Sequence, residues 1–435
     1  MNNINSHRTD QSLKLSDRIA NVLKREVVLA VGCTEPVAIA LASCYATKHL
    51  TSELKRIHLK VSGSVYKNAK AVGIPGTEQT GIEMAIALGA SMVEPVFDLK
   101  ILSKVTEIEQ KRAQLLMEKV DIKVEIFYDQ PSLWIEVEAE TSSESGRAII
   151  KDRHDNLVYL EMNGKTEIDL LQESLSSLPP LDHLLDVTLK NLMNTIREMS
   201  LAELSFLLEG IDYNMKMADF GMQMDRGLKF GKSWQRVMKK GYGSNDVGSL
   251  INMYTTAACD ARMSGVQLPV MTSSGSGNNG LIAVIPIATL ADKMGVKDEE
   301  KARALAISHV TNSKVKHHIG RLSPVCGCGV SAGAGAAAGM AYLMGASTEE
   351  VEYAVINVIS SLAGMICDGG KVGCALKLSA SASMAWQSAL LAVEGVRIPA
   401  GNGIVGDDVE STLRNLESVS IEGMRQVDRA IIGVM

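Results

Sequence analysis

The sequence predicts an α+β protein, with a small antiparallel-sheet α/β portion at the N-terminus and a large all-helical domain after it. Residues 54–65 (LKRIHLKVSGSV) and four segments between residues 120 and 162 alternate apolar and polar side chains, as strands do. After residue 185 the pattern is almost entirely helical, and Ala, Gly, Ser and Met become abundant. We therefore expect an α+β domain over residues 1–165, a connector over 166–185 and a helical domain over 186–435.

Two helices are predicted within residues 13–50, at the start of the chain. Apolar residues recur at helical spacing after Ser16, which is placed to cap the first helix. A break follows at Val31-Gly32-Cys33. Thr34 is then placed to cap the second helix, and Pro36 falls in its first turn, where proline is tolerated.

The rest of the N-terminal portion is predicted to contain one more helix and the sheet. Gly73–Thr77 predicts a turn, and Glu78–Leu88 predicts the helix that follows it. Short polar turns separate four further strands, which indicates an antiparallel meander. These strands are expected at Val120–Tyr128, Leu133–Thr141, Arg147–Asp152 and Leu157–Met162. The connector is rich in Ser, Leu and Pro and ends its loop-like part at Pro179-Pro180.

In the helical domain, Leu281–Pro286 is the one segment whose pattern allows a strand. The segment Leu322–Thr348 contains no charged residue and is long enough to span a bilayer. It is built from Gly, Ala, Ser and Cys with few large aliphatic residues. We therefore expect closely packed, buried helices there rather than a membrane span.

The charge of the chain restricts its partners. A net charge of −6 and a pI of about 5.8 argue against nucleic acid and an anionic membrane, because neither attracts an acidic protein. The first residues, MNNINSHRTDQS, contain no apolar segment of the kind found in signal peptides, so a cytoplasmic protein is expected.

Small-residue helices and abundant methionines are compatible with a homodimer.

Four of the seven cysteines lie within residues 326–374. Cys326 and Cys328 flank one glycine, and three of the six residues between Cys367 and Cys374 are glycines. Thiolates are the ligands of iron–sulfur clusters, and glycine lets the backbone wrap closely around such a group. The spacing leaves two alternatives open, namely a structural zinc site with four thiolates and buried cysteines that pack as small apolar residues.

Several segments resemble the iron–sulfur L-cysteine desulfidases, which share a superfamily with the α domain of bacterial iron–sulfur L-serine dehydratases. These segments are Gly32–Pro36 (GCTEP), Gly73–Gly76 (GIPG), Ser273–Gly280 (SSGSGNNG), Lys316–Gly339 (KHHIGRLSPVCGCGVSAGAGAAAG) and Gly364–Lys377 (GMICDGGKVGCALK). They occur in the order found in the family. The resemblance spans nearly the whole chain from about residue 15.

The resemblance implies a [4Fe-4S] cluster that is bound by three cysteines and leaves one iron open to the substrate. On this sequence the three fall on Cys367, Cys374 and one of Cys326 or Cys328. Cys326 is favoured, because its distance to the following Ala-Gly-rich helix fits the dehydratase pattern better. The chain departs from the dehydratases in the shorter gap between its last two cysteines, in the residue after the first, and in lacking a C-terminal cysteine.

Two further groups of residues are candidates for the site. Cys33 precedes a helix N-terminus, where the helix dipole favours a thiolate, and is the candidate general base; Glu35 is the second candidate. The segment Ser273–Gly280 combines polar side chains with glycines and predicts a nest for a carboxylate. Its expected substrate contacts are Ser274, Ser276, Asn278 and Asn279. Lys371 is either a counter-charge for the cluster or the carboxylate, or a solvated surface lysine.

The expected function is that of an L-cysteine desulfidase, which converts a small amino acid to pyruvate, ammonia and sulfide by β-elimination without pyridoxal phosphate. The iron that the resemblance leaves open would act on the leaving group. L-serine dehydration by the same residues is the first alternative. A non-catalytic iron–sulfur protein, such as a redox sensor, and a structural zinc protein are the others.

Overall fold

The computed structural model describes residues 13–92, 97–128, 131–172, 184, 186–320 and 322–435. Its N-terminal part combines helices with strands. The helices are α1 (Leu15–Glu26), α2 (Thr34–Thr47), α3 (Gly63–Ala69), α4 (Ile82–Ser91) and α5 (Glu107–Lys119). The strands are β1 (Leu29–Val31), β2 (Arg56–Ser62), β3 (Asp121–Phe127), β4 (Trp134–Glu140), β5 (Ser145–Lys151), β6 (Leu157–Met162) and β7 (Lys165–Asp169).

The C-terminal part is helical apart from one short strand, β8 (Pro269–Met271), within the described residues. Its helices are α6 (Leu189–Glu198), α7 (Leu201–Leu204), α8 (Glu209–Gln223), α9 (Phe230–Lys239), α10 (Val247–Met263), α11 (Gly277–Met294), α12 (Asp298–Ile319), α13 (Ser331–Leu343), α14 (Thr348–Leu362), α15 (Cys374–Val393), α16 (Val409–Ser418) and α17 (Val427–Gly433). The α+β fold class predicted from the sequence is confirmed.

The large sheet has the strand order β3-β2-β4-β5-β6-β7. Strands β4 to β7 form an antiparallel meander, whereas β2 lies between β3 and β4 and is parallel to β3. The predicted meander is therefore wrong at its first strand, because alternation reports the faces of a strand and not its partner. Strand β7 falls in the first residues of the expected connector; residues 173–183 and 185, including Pro179-Pro180, lie outside the described residues.

Helix α2 covers one face of this sheet and is buried over most of its length. Gly89 on α4 and Gly146 on β5 permit this, because a Cβ atom on Gly89 would lie 2.7 Å from the Ala40 carbonyl carbon and one on Gly146 would lie 3.0 Å from that of Ala46. The N-terminus of α2 points to the cavity described below. Its capping residue is Cys33, and Thr34 is its first residue.

The first helix belongs to the helical core, although it lies within the range expected for the α+β domain. Ile19 and Leu23 pack with residues of the C-terminal part, and β1 pairs with β8. The residue at the N-cap of α1 is Lys14 rather than the predicted Ser16, and it makes no side-chain cap hydrogen bond. The amphipathic pattern predicted the helix, whereas its packing partner depends on residues more than 150 positions away.

Helix α13 runs through the centre of the C-terminal part, and every one of its residues is buried. A Cβ atom on Gly339 would lie 2.7 Å from the Ala304 carbonyl oxygen of α12, so glycine allows the close packing that the small residues predicted. Across the described ranges, the helices all fall short of the length and apolar character that crossing a membrane requires. Leu281–Pro286 lies within α11, where burial on all sides removes any period that would reveal a helix.

Candidate active site

One cavity of about 90 Å³ lies between the N-terminus of α2, α3 and the β5–β6 turn on one side and the loops before α11, α13 and α15 on the other. A single water needs roughly 10–15 Å³ measured in the same way, so the cavity has room for a small ligand. Ten of the sequence-predicted site residues line it. They are Cys33, Glu35, Ser274, Ser276, Asn278, Asn279, Cys326, Cys328, Cys367 and Cys374.

The four-cysteine group, formed by Cys326, Cys328, Cys367 and Cys374, comes from two loops that an isolated antiparallel bridge joins. The bridge pairs Val325 with Ile366. The Cys326 amide donates to the Met365 carbonyl at 2.8 Å, and the Cys367 amide donates to the Pro324 carbonyl at 2.7 Å. Cys326 and Cys367 therefore occupy matching positions beside the bridge, although 40 residues separate them in sequence.

The other two cysteines contact different parts of the chain. Cys374 is the first residue of α15, and its thiol is 3.4 Å from the Gly369 carbonyl oxygen. The Cys328 sulfur is 4.0 Å from the Ser276 hydroxyl in the loop before α11, and its thiol also donates to Cys326. Within the described part of the chain, His, Cys, Asp and Glu side chains form no group of three that suits a single metal ion. The geometry therefore gives no support to the zinc alternative, whose four thiolates would surround one ion.

Positive charges adjoin the four-cysteine group. A Cβ atom on Gly327 would lie 2.5 Å from the Lys316 ammonium nitrogen, and Lys377 also lines the cavity. A hydrogen bond from the Cys328 thiol, assisted by Lys377 and Lys316, lowers the pKa of Cys326 to about 6. Burial raises the pKa of Cys374 to about 11. These thiols would release protons on binding a metal, since the thiolate is the ligand.

Lys371 is outside the cavity lining, although, against the larger effect of burial, its charge lowers the pKa of Cys374. Its ammonium pairs with Asp368 at 2.5 Å, and its side chain is 31% exposed. Lys377 pairs with the same carboxylate and donates to the Ile366 carbonyl at 2.6 Å. Lys316 and Lys377, unlike Lys371, line the cavity. The C-x6-C spacing could not show this, because Lys316 comes from α12.

Helix α3 fixes the loop that carries Cys367. The buried Lys67 ammonium donates to the Cys367 carbonyl at 2.7 Å and pairs with Asp428 of α17 at 2.6 Å. A Cβ atom on Gly370 would lie 2.6 Å from the Asn68 carbonyl oxygen, so this loop passes directly over α3. The glycine-rich sequence between the last two cysteines therefore serves a close approach of two backbones.

A second polar group surrounds Glu35 at the start of α2. The Cys33 thiol donates to one carboxylate oxygen of Glu35 at 3.0 Å, and the Asn68 amide donates to the other at 3.0 Å. The His154 Nε2 atom, from the β5–β6 turn, lies 3.8 Å from Glu35. All four side chains line the cavity and are less than a tenth exposed.

The expected thiolate at Cys33 is not supported by these contacts. Burial raises the pKa of the Cys33 thiol well above its usual range, and the Glu35 charge adds to this. Burial also opposes ionisation of Glu35, but hydrogen bonds and the charge of His154 outweigh it and hold the pKa of that carboxyl well below 4.5. The proton therefore rests on sulfur and the charge on Glu35. The helix dipole that favoured a thiolate is a weaker influence than a buried carboxylate 3.0 Å away.

The loop before α11 brings its four predicted residues to the cavity. Ser274 has φ +48° and Gly275 has φ +75°, and this left-handed pair turns the chain into the helix. The Ser276 hydroxyl caps α11 by accepting a hydrogen bond from the backbone N–H of Asn279. Both polar side-chain atoms of Asn279 lack a partner within the described residues, although Asn279 is only 1% exposed. The first turn of α11 also leaves amides without intrahelical partners.

Sequence reasoning missed Asn68, His154 and Arg262, which line the same cavity. Asn68 and His154 carry no motif, since only the packing of α3 and of a β-turn brings them to Glu35. Arg262 had one available signal. It is the one cation in the end of α10, TTAACDARM, whose small and apolar residues predict burial, and arginine is almost never fully buried unless it is paired.

Comparison with known proteins identifies the family. A family model described as serine dehydratase alpha chain matches residues 97–433. The chain belongs to the serine dehydratase alpha chain family. The match contains the four-cysteine group and the loop before α11, whereas Cys33 and Glu35 precede it. The superfamily predicted from the motifs is confirmed.

Relatives within this family extend over nearly the whole chain. A UPF0597 protein of Alkaliphilus oremlandii strain OhILAs is 43% identical over 425 residues, which cover 97% of this chain and 99% of the relative. A UPF0597 protein of Clostridioides difficile strain 630 is 41% identical over 418 residues, or 95% and 98% of the two chains. Their name states no substrate. The serine dehydratase alpha chain family is known for iron–sulfur-dependent enzymes, which suggests a lyase.

Proposed function

We propose that this protein is an L-cysteine desulfidase that uses a [4Fe-4S] cluster and no pyridoxal phosphate. One observation carries the proposal: the four-cysteine group, the Cys33–Glu35 pair and the loop before α11 line a single cavity. These are the thiol ligands, the proton-handling residues and the carboxylate nest that an elimination from an amino acid requires. Family membership supports an iron–sulfur-dependent reaction.

The donor set fits an iron–sulfur cluster. Cys326, Cys367 and Cys374 would hold the cluster, since two of them flank the Val325–Ile366 bridge and the third begins α15. Cys328 would be left off the cluster and would donate a hydrogen bond to the Cys326 sulfur, with its own sulfur 4.0 Å from the Ser276 hydroxyl. Lys316 and Lys377 would balance the negative charge of the thiolates. When bound, the cluster would supply a Lewis-acidic iron for the leaving group of the substrate.

The loop before α11 would hold the amino acid by its carboxylate. Ser274, Ser276, Asn278 and Asn279 line the cavity at the N-terminus of α11, where the helix dipole and free amides attract an anion. Asn279 has two buried polar atoms without partners, which a bound ligand would satisfy. Anchoring the carboxylate fixes the Cα–H bond relative to Cys33.

Cys33 and Glu35 would handle the Cα proton as a pair. As the Cys33 thiol transfers its proton to Glu35 across the 3.0 Å hydrogen bond, its sulfur can accept the proton from Cα. The electron pair of the Cα–H bond forms the double bond, and the Cβ–S bond breaks to release sulfide. The aminoacrylate product then hydrolyses to pyruvate and ammonia.

L-serine dehydration is the second candidate, because the family model is described as serine dehydratase alpha chain. The same residues would act, with water leaving in place of sulfide. Cysteine is favoured by the GCTEP, GIPG and SSGSGNNG motifs, which resemble the desulfidases. Sulfur also suits a thiophilic iron better than oxygen does.

The test is to reconstitute the protein anaerobically with iron and sulfide and to measure pyruvate, ammonia and newly released sulfide from each amino acid. We expect equimolar pyruvate and sulfide from L-cysteine, with a higher kcat/KM than that for L-serine. A higher kcat/KM for L-serine would assign the protein as a dehydratase. The elimination mechanism is wrong if an iron-loaded sample forms pyruvate from neither.

A further inference from the structure

We propose that Arg262 binds the α-carboxylate of the substrate, so that the site selects ligands with a negative charge at that position. The proposal rests on the proposed function, because it assigns a role within the same cavity. The loop before α11 offers only uncharged groups to the carboxylate, and Arg262 would add a positive charge to them.

Arg262 is a buried cation at the cavity wall. Its side chain is 2% exposed. One terminal nitrogen donates to the Asn278 side-chain oxygen at 2.9 Å, and the other donates to the Gly32 carbonyl. The Nε atom is buried and has no hydrogen-bond partner in the described part of the chain.

No carboxylate of the described residues lies within 4.0 Å of this guanidinium. A buried charge without a counter-ion is costly, and folded proteins almost always pair it. Arg262 has only neutral oxygen and sulfur acceptors on the protein side, and it lines the cavity. A ligand that brings a carboxylate would supply the missing negative charge.

The local backbone keeps space for the guanidinium. A Cβ atom on Gly277, the first residue of α11, would lie 2.6 Å from the Arg262 Cζ atom. The guanidinium therefore lies against the N-terminus of α11, which itself attracts anions. Two sources of positive potential thus meet at one point of the cavity, and a carboxylate is the group of an amino acid that fits there.

Cys33 lies between the positive charge of Arg262 and a negative charge on Glu35. Glu35 is ionised and lines the same cavity. The charge of Glu35 raises the pKa of Cys33 and that of Arg262 lowers it, so the thiol lies within reach of both charges. A zwitterion bound with its carboxylate at Arg262 and its ammonium toward Glu35 would place Cα near the Cys33 sulfur.

Arg262 also joins two loops, through Gly32 and Asn278, and a purely structural role would affect all ligands equally. The test therefore compares two ligands that differ only in the charge at the carboxyl position. L-Alanine and L-alaninamide share a side chain without a leaving group, so that their binding involves no turnover. Their affinities are measured by calorimetry on the anaerobically reconstituted full chain and on its R262K and R262M variants.

We expect the wild-type protein to bind L-alanine roughly ten- to a hundredfold more tightly than L-alaninamide, as a charge-assisted pair implies. The preference should shrink in R262K and disappear in R262M, while R236M, at an exposed arginine of α9, retains it. A wild-type protein without the preference overturns the proposal, whether or not the variants fold. A folded R262K or R262M with the full preference also overturns it.

These outcomes are separate from those of the proposed function. If the charge preference is present but neither cysteine nor serine yields pyruvate, the carboxylate site stands and the elimination is wrong. If pyruvate forms but the wild-type protein binds both ligands equally, the elimination stands and Arg262 is not the anchor.

Discussion

The Cys33 thiol donates a hydrogen bond to the Glu35 carboxylate at 3.0 Å, at the N-terminus of helix α2. This contact keeps the proton on sulfur, since the nearby negative charge and burial both oppose a thiolate. It also gives that proton a nearby acceptor. In the proposed mechanism the thiol must therefore pass its proton to Glu35 before the sulfur can act as a base.

Replacement of Glu35 by glutamine should stop this proton transfer, because an amide cannot take the proton from Cys33. We expect E35Q and C33A each to lower kcat roughly 100- to 10,000-fold, the range of general acid–base catalysis. The control is C44A, which removes another buried thiol of α2 that lies in the apolar core. Steady-state kinetics on iron-loaded samples would contradict this proton transfer if E35Q kept the kcat of the wild type.

An added methyl group at Gly277 should mimic the loss of Arg262. In G277A the new Cβ atom meets the guanidinium at 2.6 Å from Cζ, so Arg262 must move. We expect KM for the amino acid to rise roughly tenfold or more, as the loss of a charge-assisted hydrogen bond implies. G433A, at a position with nothing within 4 Å, is the control. An unchanged KM in G277A would contradict the placement of the guanidinium.

The final helix should stabilise the protein through Asp428. This residue pairs with Lys67 at 2.6 Å, and the Lys67 side chain is 1% exposed. D428N leaves that ammonium buried without its counter-ion, which costs roughly 3–5 kcal/mol in a fully buried pair. We expect D428N to lower the free energy of unfolding by an amount at or below the lower end of this range, because the Asp428 side chain is 21% exposed.

Denaturant unfolding of D428N and of the wild type measures this difference. D407N, at an exposed aspartate, serves as the control. Equal free energies of unfolding for D428N and the wild type would mean that α17 does not hold Lys67 in place.

A pH dependence of stability should come from Glu352 on α14. Burial, together with the charge of Glu410, raises the pKa of Glu352 from 4.5 to about 7. Between these values the folded state keeps a proton that the unfolded chain has lost. The free energy of unfolding therefore falls as the pH rises from 4.5 to 7, and the penalty persists above pH 7.

The E352Q variant should lack this penalty, since its side chain is neutral at every pH. We expect its melting temperature to exceed that of the wild type at pH 8 and to match it near pH 4.5. E394Q, at an exposed glutamate, should follow the wild type. Thermal unfolding between pH 4.5 and 8 would contradict the account if the E352Q and wild-type curves ran parallel.

The sequence predicted those parts of the fold whose patterns are local. Strands β4, β5 and β6 and helices α1 and α2 follow from their two-residue or helical periods. The parallel pairing of β2 with β3 does not, because residues 63–120 intervene and a strand pattern carries no record of its neighbour. Nor does the packing of α1 in the helical core.

In the candidate site, too, local motifs could be predicted and contacts made by the fold could not. Its cysteines and the SSGSGNNG loop were visible as motifs, since close wrapping needs glycines that stand out in a sequence. His154 carried no signal in the sequence, because only the fold brings it next to Glu35, and the one signal of Arg262 was a cation within a largely apolar helix end. The protonation of Cys33 differs from what the helix dipole alone favours, because the contact with Glu35 could not be read from the sequence.

The most direct test of the central claim is the iron content of four cysteine-to-serine variants after anaerobic reconstitution. We expect about four iron atoms per chain in the wild type and in C328S. We expect a large loss in C326S, C367S and C374S. Loss of iron from C328S with full retention in C326S would contradict the assigned ligand set. Zinc at about one atom per chain in place of iron would contradict the iron–sulfur site itself.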